Sequence, residues 1–170
     1  MSAACTIRIY GAMERQKQMS VQQLSVFIEN RCGTLLEVTE VLAKEKIDIR
    51  ALSLTETPEY GILRLIVSDT SRAFAAIRAA GKTVSVNDVL CIEIPDDPGG
   101  LMNALCILNN NDIDVEYMYT FVGCGGTNAN VAIRVADNDL AARLLAARGR
   151  KRYSFCSVSA IHFSCPSALR

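Results

Sequence analysis

The chain has 170 residues, half of them apolar, and its 18 lysines and arginines equal its 18 aspartates and glutamates. That much apolar material can build a packed core in one domain or two small ones, and a formal net charge of zero leaves no global field to draw the protein onto nucleic acid or an anionic membrane. Seven cysteines (5, 32, 91, 106, 124, 156, 165) form an odd set without a C-x-x-C pair, against both a disulfide framework and a structural zinc site, and no segment looks like a signal peptide or a membrane span; reduced thiols and a cytoplasmic location are expected.

Residues 1–20 carry a short apolar patch, Thr6 to Tyr10, and then a charged stretch, and are expected to be a leader outside the fold. From Val21 to Ile28, Leu24, Val26 and Ile28 alternate with Gln23 and Ser25, the period of a strand, until Phe27 breaks the rule. Asn30-Arg-Cys-Gly-Thr34 supplies turn and cap residues, and Leu35, Val38 and Leu42 follow at helical spacing. Two β-rich runs, Ile47 to Thr57 and Ile62 to Val67, flank Pro58-Glu-Tyr-Gly61 as a hairpin. Asp69 and Ser71 can cap a second helix that Gly81 ends, and Thr83 to Val86 reads as a short strand. The order is β-α-β-β-α-β.

From Val89 the order starts again. Gly33 matches Gly99, Leu35 matches Leu101, and Ile47-Asp48-Ile49 matches Ile113-Asp114-Val115, all at an offset of 66. Further on the offset becomes 68, with Asp69 facing Asp137 and Gly81 facing Gly149, and the difference falls in the glycine-rich tip Gly123 to Asn130. Two units are therefore expected, 21–88 and 89–150, joined by a turn at Asn87-Asp88. Residues 151–170 copy the first unit's last strand poorly and are expected to be a divergent or disordered tail, the place to look for that strand.

Each unit contains a strand, a glycine loop and a helix start: Ser25 to Leu35, and Cys91 to Leu101. Such a loop presents free backbone N–H groups at the positive end of a helix, where a carboxylate or phosphate can bind. For either loop alone, a glycine that merely permits a tight turn explains as much; the exact repetition favours a ligand. A helix dipole supplies at most about 2 kcal/mol, whereas micromolar to millimolar binding needs about 4 to 8 kcal/mol. Charge-assisted bonds from loop amides to a ligand carboxylate, and from its ammonium to strand carbonyls or to Asp48 and Asp114, can supply the difference.

The segments Asn30 to Ile49 and Asp96 to Val115 resemble two ACT domains, whose typical opening reads Asp-x-Pro-Gly-x-Leu, followed by a helix and an Ile-Asn-Ile strand. The resemblance spans about residues 22–149 and is to small tandem ACT proteins. It implies an α+β, ferredoxin-like fold: two βαββαβ units side by side in one eight-stranded antiparallel sheet with helices on one face, binding an amino acid at the seam. The site it implies comprises Asn30, Arg31, Cys32, Gly33, Thr34 and Leu35 in one loop; Asp96, Asp97, Pro98, Gly99, Gly100 and Leu101 in the other; and Asp48, Ile49, Asp114 and Val115 on the strands that follow. Cys32 departs from the usual proline, and Asp48 and Asp114 from the usual asparagine.

Other candidates read as structure. Asp96 and Asp97 precede a helix, where acids cap free amides rather than work as a catalytic pair. The loop Gly123 to Gly126 lacks the lysine and hydroxyl of a phosphate-binding P-loop. Cys91 and Cys106 sit in apolar runs as core thiols, whereas Cys32 at a helix start is a candidate for alkylation or redox sensitivity. The one histidine, His162, offers no credible catalytic base. Tyr117, Tyr119 and Phe121 share a sheet face, and apolar side chains on both faces of Leu52 to Leu54 and Tyr117 to Val122 would leave an exposed patch in a monomer for a second copy or another protein to cover. The expectation is a sensor without catalytic residues, cofactor or metal, acting on a homodimer partner or an enzyme of amino-acid metabolism; the alternative is an oligomerisation module with a vestigial pocket.

Overall fold

The computed structural model describes residues 20–121, 128–148 and 154–155. In chain order the elements are β1 (Ser20–Glu29), α1 (Thr34–Lys44), β2 (Ile49–Glu56), β3 (Tyr60–Val67), α2 (Thr70–Ala79), β4 (Val84–Pro95), α3 (Gly100–Asn109), β5 (Val115–Phe121), β6 (Asn128–Val135), α4 (Asn138–Arg148) and β7 (Ser154–Phe155). The strands run β2-β3-β1-β4-β6-β5, with the two-residue β7 attached to β4.

The expected eight strands are not present as eight, because the fourth and fifth are one. β4 runs unbroken through 12 residues, pairing with β1 over Val84–Leu90 and with β6 over Leu90–Pro95. The turn expected at Asn87-Asp88 does not form. Both residues have turn propensity, but each finds partners in extended conformation: Asn87 Nδ2 donates to Ser25 Oγ at 3.0 Å, and the Asp88 carbonyl accepts from Arg134 and Asn138 at 2.6 and 2.9 Å. At Ile92 and Glu93 one edge of β4 faces β6, so β7 takes the other, the edge it shares with β1.

The four helices of the described residues cover one sheet face. Val84 on β4 packs against one core with Leu24, Val26, Leu63 and Leu65 under α1 and α2. Leu90, Ile92 and Ile94, on the same face of β4 by their even spacing, pack against a second core with Ile133 under α3 and α4. The helices contribute the residues that helical spacing brings to one side: Val38 and Leu42, Ala73 and Ile77, Ala104 and Leu108, Ala141 and Leu145.

The opposite face is not left open. The sheet curls until its outer strands β2 and β5 come together, and a third cluster forms from Ala51, Ile66, Val89, Cys91 and Ala132, with Tyr117, Tyr119 and Phe121 half-buried against it. The patch expected at Tyr117 to Phe121 is therefore covered by the chain's own sheet, because right-handed twist accumulates over six strands; Val122 lies outside the described residues. Leu52 and Leu54 do stay exposed, at 44% and 42%. At the centre of this face the buried Gln23 amide donates to Ser25 Oγ (3.1 Å) and to Tyr117 OH (2.9 Å), and accepts from Tyr119 OH (2.8 Å). The Arg64 guanidinium lies 4.0 Å over the Tyr117 ring.

The repetition reaches backbone detail. Gly33 and Gly99 are both left-handed at helix starts, with φ of 91° and 94°. Lys46 and Asp112 both have φ of 54°, and each lies in the same helix-ending pattern: Ile47 N–H to Leu42 carbonyl and Ile113 N–H to Leu108 carbonyl. β2 and β5 each shift register once, at Ile49/Ala51 and Val115/Tyr117. Asp69 caps α2 through Arg72 N–H, as Asp137 does for α4 through Leu140 N–H.

Candidate ligand-binding site

The first loop leaves β1 at Glu29 and enters α1 at Thr34. Thr34 is buried, and its hydroxyl and N–H both donate to the Arg31 carbonyl, at 3.1 and 3.4 Å. Gly33 caps α1 in the left-handed region without any side-chain cap. Its carbonyl accepts from Glu37 N–H at 2.9 Å, whereas the amides of Cys32, Gly33, Leu35 and Leu36 have no partner among the described residues. These are the free donors that the sequence implies.

The second loop has the same shape. Gly100 N–H donates to the Asp97 carbonyl at 2.9 Å, and Asn103 N–H to the Gly99 carbonyl at 3.0 Å. The carboxylates of Asp96 and Asp97 were expected to cap this helix, but no side chain caps it; the left-handed Gly99 turns the chain so tightly that a backbone carbonyl fills the role. Gly100 is needed for a different reason, since a Cβ there would lie 2.2 Å from the Pro95 carbonyl oxygen.

Because β1 and β4 are antiparallel, the two loops lie at opposite ends of the sheet. Each aspartate opens a strand at the end away from its own loop. Ile49 pairs with Val67 and the first loop adjoins Gly61, six residues away along β3, a span of about 20 Å. Asp48 is thus directed to the end carrying the second loop, and Asp114, by the same pairing logic through β6, to the end carrying the first. Asp48 is exposed and its carboxylate meets Arg50 Nε at 2.9 Å. Asp114 is exposed; Ile49 and Val115 are half-buried against the two helix-side cores.

A cavity of about 330 Å³ opens beside the first loop, lined by Arg31 and Thr34 from the loop, Phe27, Ile28 and Glu29 from β1, Tyr60 from β3, and Gly81, Lys82 and Thr83 before β4. That volume falls at the lower end of small-molecule pockets, about 300 to 1,000 Å³. A smaller space of about 90 Å³ on the other side of the loop adds Asn30, Leu35, Leu54 and Gly61. Neither lining includes Asp48 or Asp114. Sequence reasoning missed Phe27, Glu29, Tyr60 and Lys82. The signal for Phe27 was present: it is the apolar residue that breaks the alternation of β1. Tyr60 was hidden in a segment legible only as a turn.

The charges around the cavity are paired. Arg31 Nε donates to Glu29 Oε2 at 2.7 Å and its guanidinium also approaches Glu37 Oε1 at 3.8 Å, while Lys82 Nζ donates to Glu37 Oε2. The Lys82 hydrogen bond, then its charge, holds the Glu37 carboxyl below the usual carboxylate range. A carboxyl whose pKa is lower folded than unfolded stabilises the fold above its unfolded value, and that contribution disappears as pH falls through the folded value. Lys82→Met is expected to move the Glu37 titration midpoint up towards the ordinary value of about 4.3, measured by NMR titration of the side-chain carboxyl carbon; an unmoved midpoint would show that the pair does not form in solution.

The free thiols divide by position. Cys91 is buried, but Cys106, expected in the core, is exposed on the outer side of α3, because Ala104 and Leu108 take the inward positions. Cys32 is exposed in the loop. No described helix is long and apolar enough to cross a membrane.

Residues 19–153 match the family model described as ACT domain pair. Among solved structures, protein BT0572 from Bacteroides thetaiotaomicron is 40% identical, covers 82% of this chain and 94% of its own, and superposes with a TM-score of 0.74. Two more distant structures share the fold. The regulatory subunit of aspartate kinase from Thermus thermophilus, in its ligand-free form, is 13% identical with a TM-score of 0.58, covering 76% of this chain and 92% of that one. The corresponding subunit from Thermus flavus is 13% identical with a TM-score of 0.55, covering 74% and 90%. No curated protein matches the chain.

Proposed function

The chain belongs to the ACT domain pair family, and from that membership we propose that it is a non-catalytic regulatory sensor: it binds a small amino acid at its glycine loops, which stand at opposite ends of the sheet, and passes occupancy to a partner protein. The observation that carries this reading is the duplicated left-handed glycine helix start with unpartnered amides, one copy of which borders a cavity of ligand size. A zwitterion suits it, because loop amides with Arg31 can take the carboxylate while Glu29 and strand carbonyls take the ammonium.

The units in this proposal are residues 21–88 and 89–150, with their boundary inside β4 and the site residues drawn from both loops and from Asp48, Ile49, Asp114 and Val115. Since β4 belongs to both units, a ligand that favours one arrangement of the first loop biases the second unit through a shared strand, and its differential affinity is the free energy available to a partner. A second copy or an enzyme of amino-acid metabolism is the proposed partner, in the cytoplasm. The regulatory aspartate kinase subunits among the structures of similar fold are consistent with such a role.

Thermal unfolding in the presence of each of the twenty amino acids tests the reading. At a ligand concentration about 100 times Kd, binding adds about 2.7 kcal/mol to stability and raises the Tm; Gly33→Asp combined with Gly99→Asp abolishes the rise relative to the variant's own Tm. A second reading, an oligomerisation module, draws on the exposed Leu52 and Leu54. It gains if no amino acid shifts the Tm.

A further inference from the structure

We infer that the cavity beside the first loop selects an amino acid with an uncharged, apolar side chain, aromatic or branched, which packs on Phe27 and Tyr60. The inference rests on the amino-acid reading above and deepens it. Phe27 and Tyr60 are 47% and 46% exposed although both are large and apolar; their ring centroids stand 6.1 Å apart, tilted by 34°, and both line the cavity. The adjoining smaller space is bordered by Leu35 and Leu54, again part-exposed apolar residues. The two rings form a part-exposed apolar wall of the cavity, rimmed by the charges of Glu29, Arg31 and Lys82, as in ligand sites.

The charges decide against a charged ligand side chain. The lining carries Glu29, Arg31 and Lys82; Arg31 is matched by Glu29 and Lys82 by Glu37. A zwitterionic backbone can insert into the Glu29–Arg31 pair as a balanced exchange, giving each ion a new partner of opposite sign. An additional side-chain charge would have no uncommitted counter-ion and would lie against the aromatic wall, losing hydration without compensation. An uncharged side chain instead removes Phe27 and Tyr60 from water.

The test uses the full chain, L-phenylalanine, L-leucine, L-aspartate and L-lysine at equal concentration. The protein has five tyrosines and no tryptophan, so its emission comes from tyrosine, and the part of a ligand-induced change that Tyr60→Ala removes reports on Tyr60 beside thermal unfolding. Phenylalanine and leucine are expected to raise the Tm and change the emission, and aspartate and lysine to do neither. Phe27→Ala and Tyr60→Ala each weaken phenylalanine binding about threefold, and together about tenfold; the single variants are read if the double variant loses the native far-UV spectrum. Met102→Ala, exposed on α3, leaves binding unchanged. A response to aspartate or lysine as large as that to phenylalanine, or undiminished phenylalanine affinity in the alanine variants, overturns the selectivity while keeping an amino-acid site. Silence to all twenty amino acids overturns the amino-acid reading beneath it.

Discussion

Gly100→Ala is expected to cost about 3 kcal/mol of unfolding free energy in urea titration, at the upper end of ordinary overpacking, whereas Gly33→Ala costs about 1 to 2 kcal/mol. The two glycines look alike in the sequence but fail for different reasons. At Gly33 nothing stands within 4 Å of an added Cβ, so the whole penalty is the left-handed backbone at φ +91°. At Gly100 the Cβ would meet the Pro95 carbonyl oxygen at 2.2 Å. That oxygen belongs to the backbone at the end of β4, so no rotamer change relieves the clash. α3 must move away from the strand it packs on, carrying the second loop with it. Equal losses at both positions would contradict this distinction.

Gln23→Leu is expected to cost about 3 kcal/mol, and adding Tyr117→Phe with Tyr119→Phe to it is expected to recover about 2 kcal/mol of that loss. The single change strands the two phenol hydroxyls that Gln23 now serves, while the Ser25 hydroxyl keeps its bond from Asn87. The triple change removes the phenol hydroxyls instead of leaving them unpaired. Urea unfolding of the single, double and triple variants closes the cycle, and simple additivity would exclude the network. Burial, followed by the neighbouring Cys91 and Tyr117, pushes the Tyr119 hydroxyl well above the usual tyrosine range. Its proton is held more tightly in the folded state, so this contribution is complete below about pH 10 and is lost as pH rises beyond it. Tyr119→Phe should flatten that alkaline loss. The same contacts join β1 of the first unit to β5 of the second, so they also set how the units close on each other.

The geometry of the two loops in the candidate site was legible because backbone conformation at a loop is a local matter. Gly33 and Gly99, each followed by apolar residues at helical spacing, already implied two equivalent helix starts, and the structure gives them φ values within a few degrees of each other. Asn87 and Asp88 misled for the same reason: their local preference is a turn, and only partners distant in sequence, Ser25, Arg134 and Asn138, make extended backbone the better choice. Asp96 and Asp97 likewise suggested side-chain capping, which the Asp97 carbonyl replaced.

By itself, then, the sequence determined the repeated β-α-β-β-α-β order, the helix-facing residues and the glycine loops, since these follow from periodicity and from what each residue permits its own backbone. The tertiary structure alone decided that two strands fuse into β4, that the sheet curls to bury Gln23 with Tyr117 and Tyr119, and that Phe27, Tyr60 and Lys82 meet around one loop. Those outcomes depend on strand register and accumulated twist, which relate residues too far apart in the chain for any local preference to encode.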